Sequence, residues 1–213
     1  MIYTYNWDGE AHLGDRIHLA WWARILQDRG DSLVVLGEGD ARVDWLCSVY
    51  GTSVGWDVDA VGESFDGFGL VREHGVPRPV TYSWTPTHPT AQLIGRDNGR
   101  IIPRSHRERY YGDRWRVDDW TDPLPEFFSR LALSSNHVSV SSATLWWCAS
   151  LSIPCTMYVL NVKWWRSHRP YTAVAQHIKN IDVQFLDLRP DDSQFDEMRL
   201  AKVVAQDQQY LKK

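Results

Sequence analysis

An α/β fold is predicted by three features met in order along the first 36 residues: a strand-like start, an amphipathic helical run and a continuous apolar run. Tyr3-Thr4-Tyr5 reads as the first strand. The turn-rich residues 7–15 then lead into a helical run over residues 16–28, in which Ile17, Ala20, Trp21, Arg24 and Ile25 share one face and Asp15 is placed to cap the first turn. Arg29-Gly30-Asp31 stops that helix. Ser32-Leu33-Val34-Val35-Leu36 has the composition of a buried parallel strand, and strand, helix, strand makes a βαβ unit.

Residues 41–50 read as a second helix, whereas residues 51–69 are rich in Gly and Asp and carry no assignment. His74-Gly75-Val76-Pro77-Arg78-Pro79 breaks both periodicities and marks a hinge, after which Val80-Thr81-Tyr82-Ser83-Trp84 reads as a strand opening a second lobe. Helices are predicted over residues 123–131 and 143–151. Strands are predicted over residues 136–140, 155–160 and 181–188, and a closing helix over residues 193–211. This gives an N-terminal lobe over residues 1–76, a second lobe over 77–192, and a C-terminal helix over 193–213 packing back across both.

With 213 residues, 43% of them hydrophobic and 23% charged, the chain has the composition of a folded domain rather than a disordered one. No segment is long and apolar enough for a membrane span, and Asp8, Glu10 and Asp15 stand where a signal peptide would be basic and then apolar. A cytoplasmic protein is expected, in the host cytoplasm if viral. Cys47, Cys148 and Cys155 have neither disulfide nor zinc spacing and are read as buried thiols. Charge is uneven: residues 1–75 hold 5 Arg against 13 Asp and Glu, while residues 76–213 hold 18 basic against 14 acidic. An anionic ligand should prefer the second half.

Two junctions carry candidate chemistry. Leu13-Gly14-Asp15-Arg16-Ile17-His18 lies where the first strand meets its helix, the usual ligand crevice of doubly wound folds, and its Gly permits close approach to the backbone. Asp15 is either an ordinary cap or a general base, and His12 and His18 flank it as a possible proton relay. Residues 137–154 run from a strand through small hydroxyl residues straight into a helix, which is how anions are held, although a plain Ser cap before a buried helix reads equally well.

Two basic stretches interleave with rings. Residues 104–116 include Arg104, Arg107 and Arg109 beside Tyr110, Tyr111 and Trp115; residues 163–169 include Lys163, Trp164, Trp165 and Arg166. Cations bind phosphates and flat rings stack on bases, so the pair suits a nucleotide or nucleic acid. Asp57-Val58-Asp59 matches a metal-binding pattern but sits in the acidic half, and is read as a solvated turn.

Leu13-Gly14-Asp15-Arg16-Ile17-His18 resembles the glycine-aspartate loop of bacterial heptosyltransferases and related two-Rossmann-lobe (GT-B) glycosyltransferases. Residues 141–154 resemble the same family's donor segment, a hydroxyl-rich turn, an Ala-rich helix and a Gly-x-Pro before the next strand. The resemblance implies a compact two-lobed Rossmann-like fold and a metal-independent glycosyltransferase needing no cofactor beyond its nucleotide-sugar co-substrate. By the same resemblance Asp15 is the general base, and Ser141, Ser142, Ala143 and Thr144 bind the donor diphosphate. Ala143 stands for the usual Gly and Trp146 for the His of many members. Ser83 and Thr85 complete the expected donor set, and Arg16 joins the basic stretches as an acceptor contact. The favoured acceptor is a hydroxymethylated pyrimidine in DNA, in the manner of viral enzymes that decorate their own genome; a protein, lipid or glycan acceptor, a non-catalytic nucleic-acid-binding module and a nucleotide-binding protein without transfer chemistry are the alternatives.

Overall fold

The computed structural model describes residues 1–7, 12–85, 88–93, 116–117, 124–139, 141–159 and 169–185. The first half contains β1 (Ile2–Asn6), α1 (Leu13–Asp28), β2 (Ser32–Leu36), α2 (Ala41–Val49), β3 (Gly55–Trp56) and α3 (Gly67–His74). The second contains β4 (His88–Leu93), β5 (Arg116–Val117), α4 (Leu124–Leu131), β6 (Ser134–Ser139), α5 (Ala143–Ser150), β7 (Cys155–Val159), α6 (Arg169–Ala175) and β8 (Ile181–Phe185). The fold is α/β, and every strand pairing within the two sheets is parallel.

The predicted βαβ unit is present, with β1 pairing β2 from Ile2 against Ser32 to Asn6 against Leu36. Gly30 lies just past the end of α1 with φ +80, a conformation that costs a residue with a Cβ and explains why the helix stops there. The first sheet runs β1-β2-β3, and Glu63 bridges Tyr3 on the other side of β1. The chain therefore moves outward from β1 through β2 to β3 and returns to the opposite flank of β1. The second sheet has the order β5-β4-β6-β7-β8, so the chain leaves β4 for β5 and comes back to β6 on the other side. Each sheet thus has a point where strand order reverses, and at such points the connections diverge to leave a crevice beyond the carboxyl ends of the strands.

One buried hydrophobic cluster joins the sheets. Its centre is α1, which packs against α2, α3 and β2 on one side and α5 on the other. Ten of its residues between Arg16 and Leu26 are buried, so it is a helix enclosed all round rather than a surface amphipathic one. All eight residues of α5 are buried too. Fully buried side chains such as Leu19, Leu26 and Leu145 each contribute about 1.5–3 kcal/mol, and many of the tryptophans pack here as rings in edge and stacked contacts. At the far end, the Tyr50 hydroxyl donates to Ser150 Oγ at 2.9 Å, tying the end of α2 to the end of α5.

The segment 51–69 that the sequence left open supplies β3, the Glu63 bridge and the start of α3. Gly67 opens α3 against α1, where an added Cβ would lie 2.3 Å from Trp22 Cε2. Gly67→Ala should therefore lower stability by about 1–3 kcal/mol, read as a fall in denaturation midpoint, because neither ring nor helix can move without opening the core.

Residues 80–84 are not a strand. The segment is held instead by separate bonds, Val80 N–H to the Val49 carbonyl at 2.8 Å and Trp84 Nε1 to the Ser134 carbonyl at 2.8 Å, and the sheet begins further on, at β4. The three cysteines are free and buried, as expected, and burial pushes the Cys47 thiol up to about 12. Among the described residues no helix is long and apolar enough to cross a membrane. The closing helix expected over residues 193–211 lies outside the described residues.

Candidate active site

The starts of the helices that follow β1 and β6 meet. A Cβ placed on Gly14 would lie 3.7 Å from the Ala143 amide nitrogen and 3.5 Å from Trp146 Cδ1, so the first turn of α1 rests directly on the first turn of α5. Both helices follow strands that flank their sheet's reversal point, β1 in the first and β6 in the second. The amino end of α6, following β7, arrives at the same place.

Helix α1 begins earlier than the sequence suggested, at Leu13, and its N-cap is His12. Asp15 therefore sits in the third position of the helix and caps in the reverse sense, its Oδ2 accepting from the His12 backbone N–H at 3.0 Å. Its Oδ1 accepts from the Tyr171 hydroxyl at 2.6 Å. Tyr171 is 156 residues away along the chain, and only the meeting of α1 with α6 discloses it. Burial, together with the hydrogen bond to Asp15 and its negative charge, raises the Tyr171 pKa, so the phenol stays protonated and donates at neutral pH.

At the start of α5, Ser142 is the N-cap: its Oγ accepts from the Leu145 N–H at 3.4 Å and shares a 2.8 Å hydrogen bond with Thr144 Oγ1. Ser141 and Ser142 are half-buried, while Ala143 and Thr144 are buried beneath them. The first-turn amides of a helix have no intrahelical acceptor, and with the helix dipole they form an anion-binding end.

Several expected site residues have other employment. His18 is no proton relay: it is buried with neither ring nitrogen hydrogen-bonded among the described residues, and its ring lies among Trp21, Trp22, Phe68, Trp146 and Tyr171. Burial lowers its pKa to about 4, against the opposing charge of Asp15, so it is neutral at pH 7. His12 contributes its backbone N–H to Asp15 from the helix start. Trp146 is 1% exposed and fills the α1–α5 contact, so its side chain is part of the core and not a donor contact. Arg16 is buried against Asp40, with Nε at 2.9 Å and Nη2 at 2.8 Å from the same carboxylate oxygen, and lies over the Trp7 ring. Asp40 in turn caps α2, so Arg16 couples two helix starts rather than standing ready for a phosphate backbone.

Ser83 and Thr85 are misplaced for a donor site. The Thr85 N–H donates to the Ala132 carbonyl, before β6 begins, whereas residues 141–144 follow its other end. A six-residue strand separates them, about 20 Å at about 3.3 Å per residue. Asp57 and Asp59 form an exposed turn, as their sequence predicts, with Asp57 Oδ1 accepting from the Asp59 N–H. Arg104, Arg107, Arg109, Lys163, Trp164, Trp165 and Arg166 lie outside the described residues.

Gly14→Ala provides a local test of the contact. In a helix first turn the change should leave stability equal or raise it by up to about 1 kcal/mol, because Ala loses less backbone entropy and the new methyl meets ordinary van der Waals distances. A thermal midpoint lowered by several degrees would contradict this spacing of the two turns.

Comparison of the chain with protein-family models, curated proteins and solved structures finds no match in any of the three.

Proposed function

We propose that the protein is a glycosyltransferase that moves a sugar from a nucleotide donor to an acceptor hydroxyl. The observation that carries this reading is the close approach of Gly14 to Ala143, near enough that an added Cβ would touch the Ala143 amide, which brings the carboxylate-bearing helix start after β1 to the hydroxyl-lined helix start after β6. Each helix start follows a strand at a reversal of sheet order, the kind of position at which α/β sheets commonly bind ligands, which supports the reading. Glycosyl transfer needs a base for the attacking hydroxyl and positive dipoles for the departing diphosphate, side by side. Asp15 supplies the first. The Ala143 amide with the hydroxyls of Ser141 and Ser142 supplies the second, whereas Thr144, expected in the donor set, is 0% exposed and belongs to the core beneath them. Ser152 adds support: it occupies the place of Gly in the Gly-x-Pro of the resembled donor segment, and it takes φ +63, the conformation Gly accepts most readily.

The acceptor in this proposal is a hydroxymethylated pyrimidine in DNA, on the strength of the basic and aromatic stretches at 104–116 and 163–169. Incubation with a panel of nucleotide sugars and either hydroxymethylated or plain DNA, followed by mass spectrometry, should give a hexose- or pentose-sized adduct on the modified DNA alone. An adduct on plain DNA, or on none, counts against this acceptor.

A second reading is a nucleotide-binding protein without transfer chemistry. It is favoured by the two hydrogen bonds that already engage both Asp15 oxygens. Nucleotide-sugar binding with no turnover on any acceptor would establish it.

A further inference from the structure

We infer that Tyr171 is the positioning residue of the proposed transfer, holding the Asp15 carboxylate in the orientation from which it takes the acceptor proton. The inference rests on the transferase reading above, in which Asp15 is the base.

A carboxylate on a short side chain can rotate, and a rotated base misses its proton. Asp15 is fixed at both oxygens by two different parts of the fold. The His12 N–H at the start of its own helix holds Oδ2, and the Tyr171 hydroxyl, brought by α6 of the other sheet, holds Oδ1 at 2.6 Å. An ionised carboxylate offers about four lone-pair positions, so two such bonds leave room for an attacking hydroxyl. The phenol is itself delivered by a rigid ring: Tyr171 packs edge-on to Phe68 with centroids 5.2 Å apart and lies near-parallel to His18 at 5.4 Å. Phe68 belongs to α3 and His18 to α1, so the ring is gripped from two sides. The short bond is of the charge-assisted O–H to carboxylate kind. In the reaction the acceptor O–H bond breaks toward Asp15, the new bond forms from that oxygen to the anomeric carbon, and the diphosphate leaves with the electron pair of the broken C–O bond. Tyr171 keeps its proton throughout.

Tyr171→Phe removes the donor and keeps the ring. With the donor that wild type uses, the variant should lose about 10- to 100-fold in kcat, with donor KM and thermal midpoint nearly unchanged. Wild-type kcat in the variant overturns the assignment while leaving the transferase reading intact. A rise confined to donor KM also overturns it, since that places Tyr171 in binding. So does a sugar adduct found on Tyr171 itself when wild type is incubated with donor alone, because the phenol would then be an acceptor. If wild type transfers nothing across the full donor panel, the transferase reading and this inference fall together. Should Tyr171→Phe not fold, the hydrogen bond is read in folded protein instead: a downfield hydroxyl-proton resonance in wild type that disappears in Asp15→Asn supports the inference, and its absence from wild type overturns it.

Discussion

Asp15→Asn is expected to reduce transfer by about 100-fold or more while nucleotide binding persists, because general-base catalysis contributes about 10²- to 10⁴-fold and an amide cannot accept the acceptor proton. The structure makes this a clean substitution. The Asn carbonyl oxygen can still accept from the His12 N–H, and its amide can donate to the Tyr171 hydroxyl oxygen, so both tethers of Asp15 have replacements. Measured kcat with a saturating donor and the thermal shift given by that donor, on the same preparation, decide the matter. Undiminished turnover would remove Asp15 from the chemistry and reduce it to a helix cap.

The second large effect concerns stability in mild acid. His18 and His137 are buried, no ring nitrogen of either is hydrogen-bonded among the described residues, and burial lowers their pKa values to about 4 and about 3. In the unfolded chain an imidazole takes up its proton near pH 6.5. Between that value and about 4 the unfolded state therefore binds protons that the folded state refuses, and stability falls as pH falls. Each unit of difference corresponds to about 1.4 kcal/mol, so two histidines displaced by two or more units withdraw several kcal/mol from a total typically of about 5–15. Asp40 acts in a lower window. Burial works to raise its pKa, but the Arg16 guanidinium and the Arg42 and Val43 amides outweigh it and hold the carboxyl below its ordinary value. Its contribution is complete above the ordinary carboxylate range of about 4 and is lost below it. Urea midpoints from pH 7 to pH 4.5 should fall steeply for wild type and more gently for His18→Phe combined with His137→Leu. Parallel slopes would mean that neither imidazole is neutral in the fold.

What the sequence disclosed follows from how local each signal is. The β1-α1-β2 unit was legible because a helical face bounded by Gly30 is followed by an uninterrupted apolar strand, and α5 and β7 because a hydroxyl-rich turn and a Pro bracket an apolar run. Helix α3 begins Gly-Phe-Gly after Asp66, whose side chain makes no cap hydrogen bond and accepts from Arg72 instead, so its packing against α1 and α6 is what holds it. Strand β4 holds Pro89, Ala91 and Gln92, which carry little strand propensity, and is specified by its parallel neighbours β5 and β6. In the candidate site, Gly14, Asp15 and Ser142 stood out because helix starts are local. Tyr171 did not, because the first turn of α6 is brought to Asp15 by tertiary packing, and Arg-Pro-Tyr at that helix start gives no sign of the partner. His18 and Trp146 looked chemical in one dimension and proved to be core, since burial on every side of α1 cannot be read from one apolar face.

In the proposed transferase the amino end of α5 binds the donor diphosphate, with the first turn of α1 packed against it. Titrating nucleoside diphosphates against wild type and Gly14→Ala by calorimetry tests it most directly, since the added methyl would stand in van der Waals contact with the Ala143 amide that is to donate to the phosphate. Saturable binding to wild type, weakened about tenfold or more in a fully folded Gly14→Ala, is the predicted result, corresponding to the loss of about one charge-assisted hydrogen bond. Equal affinity in the two proteins, or no binding of any nucleoside diphosphate to wild type, would contradict it.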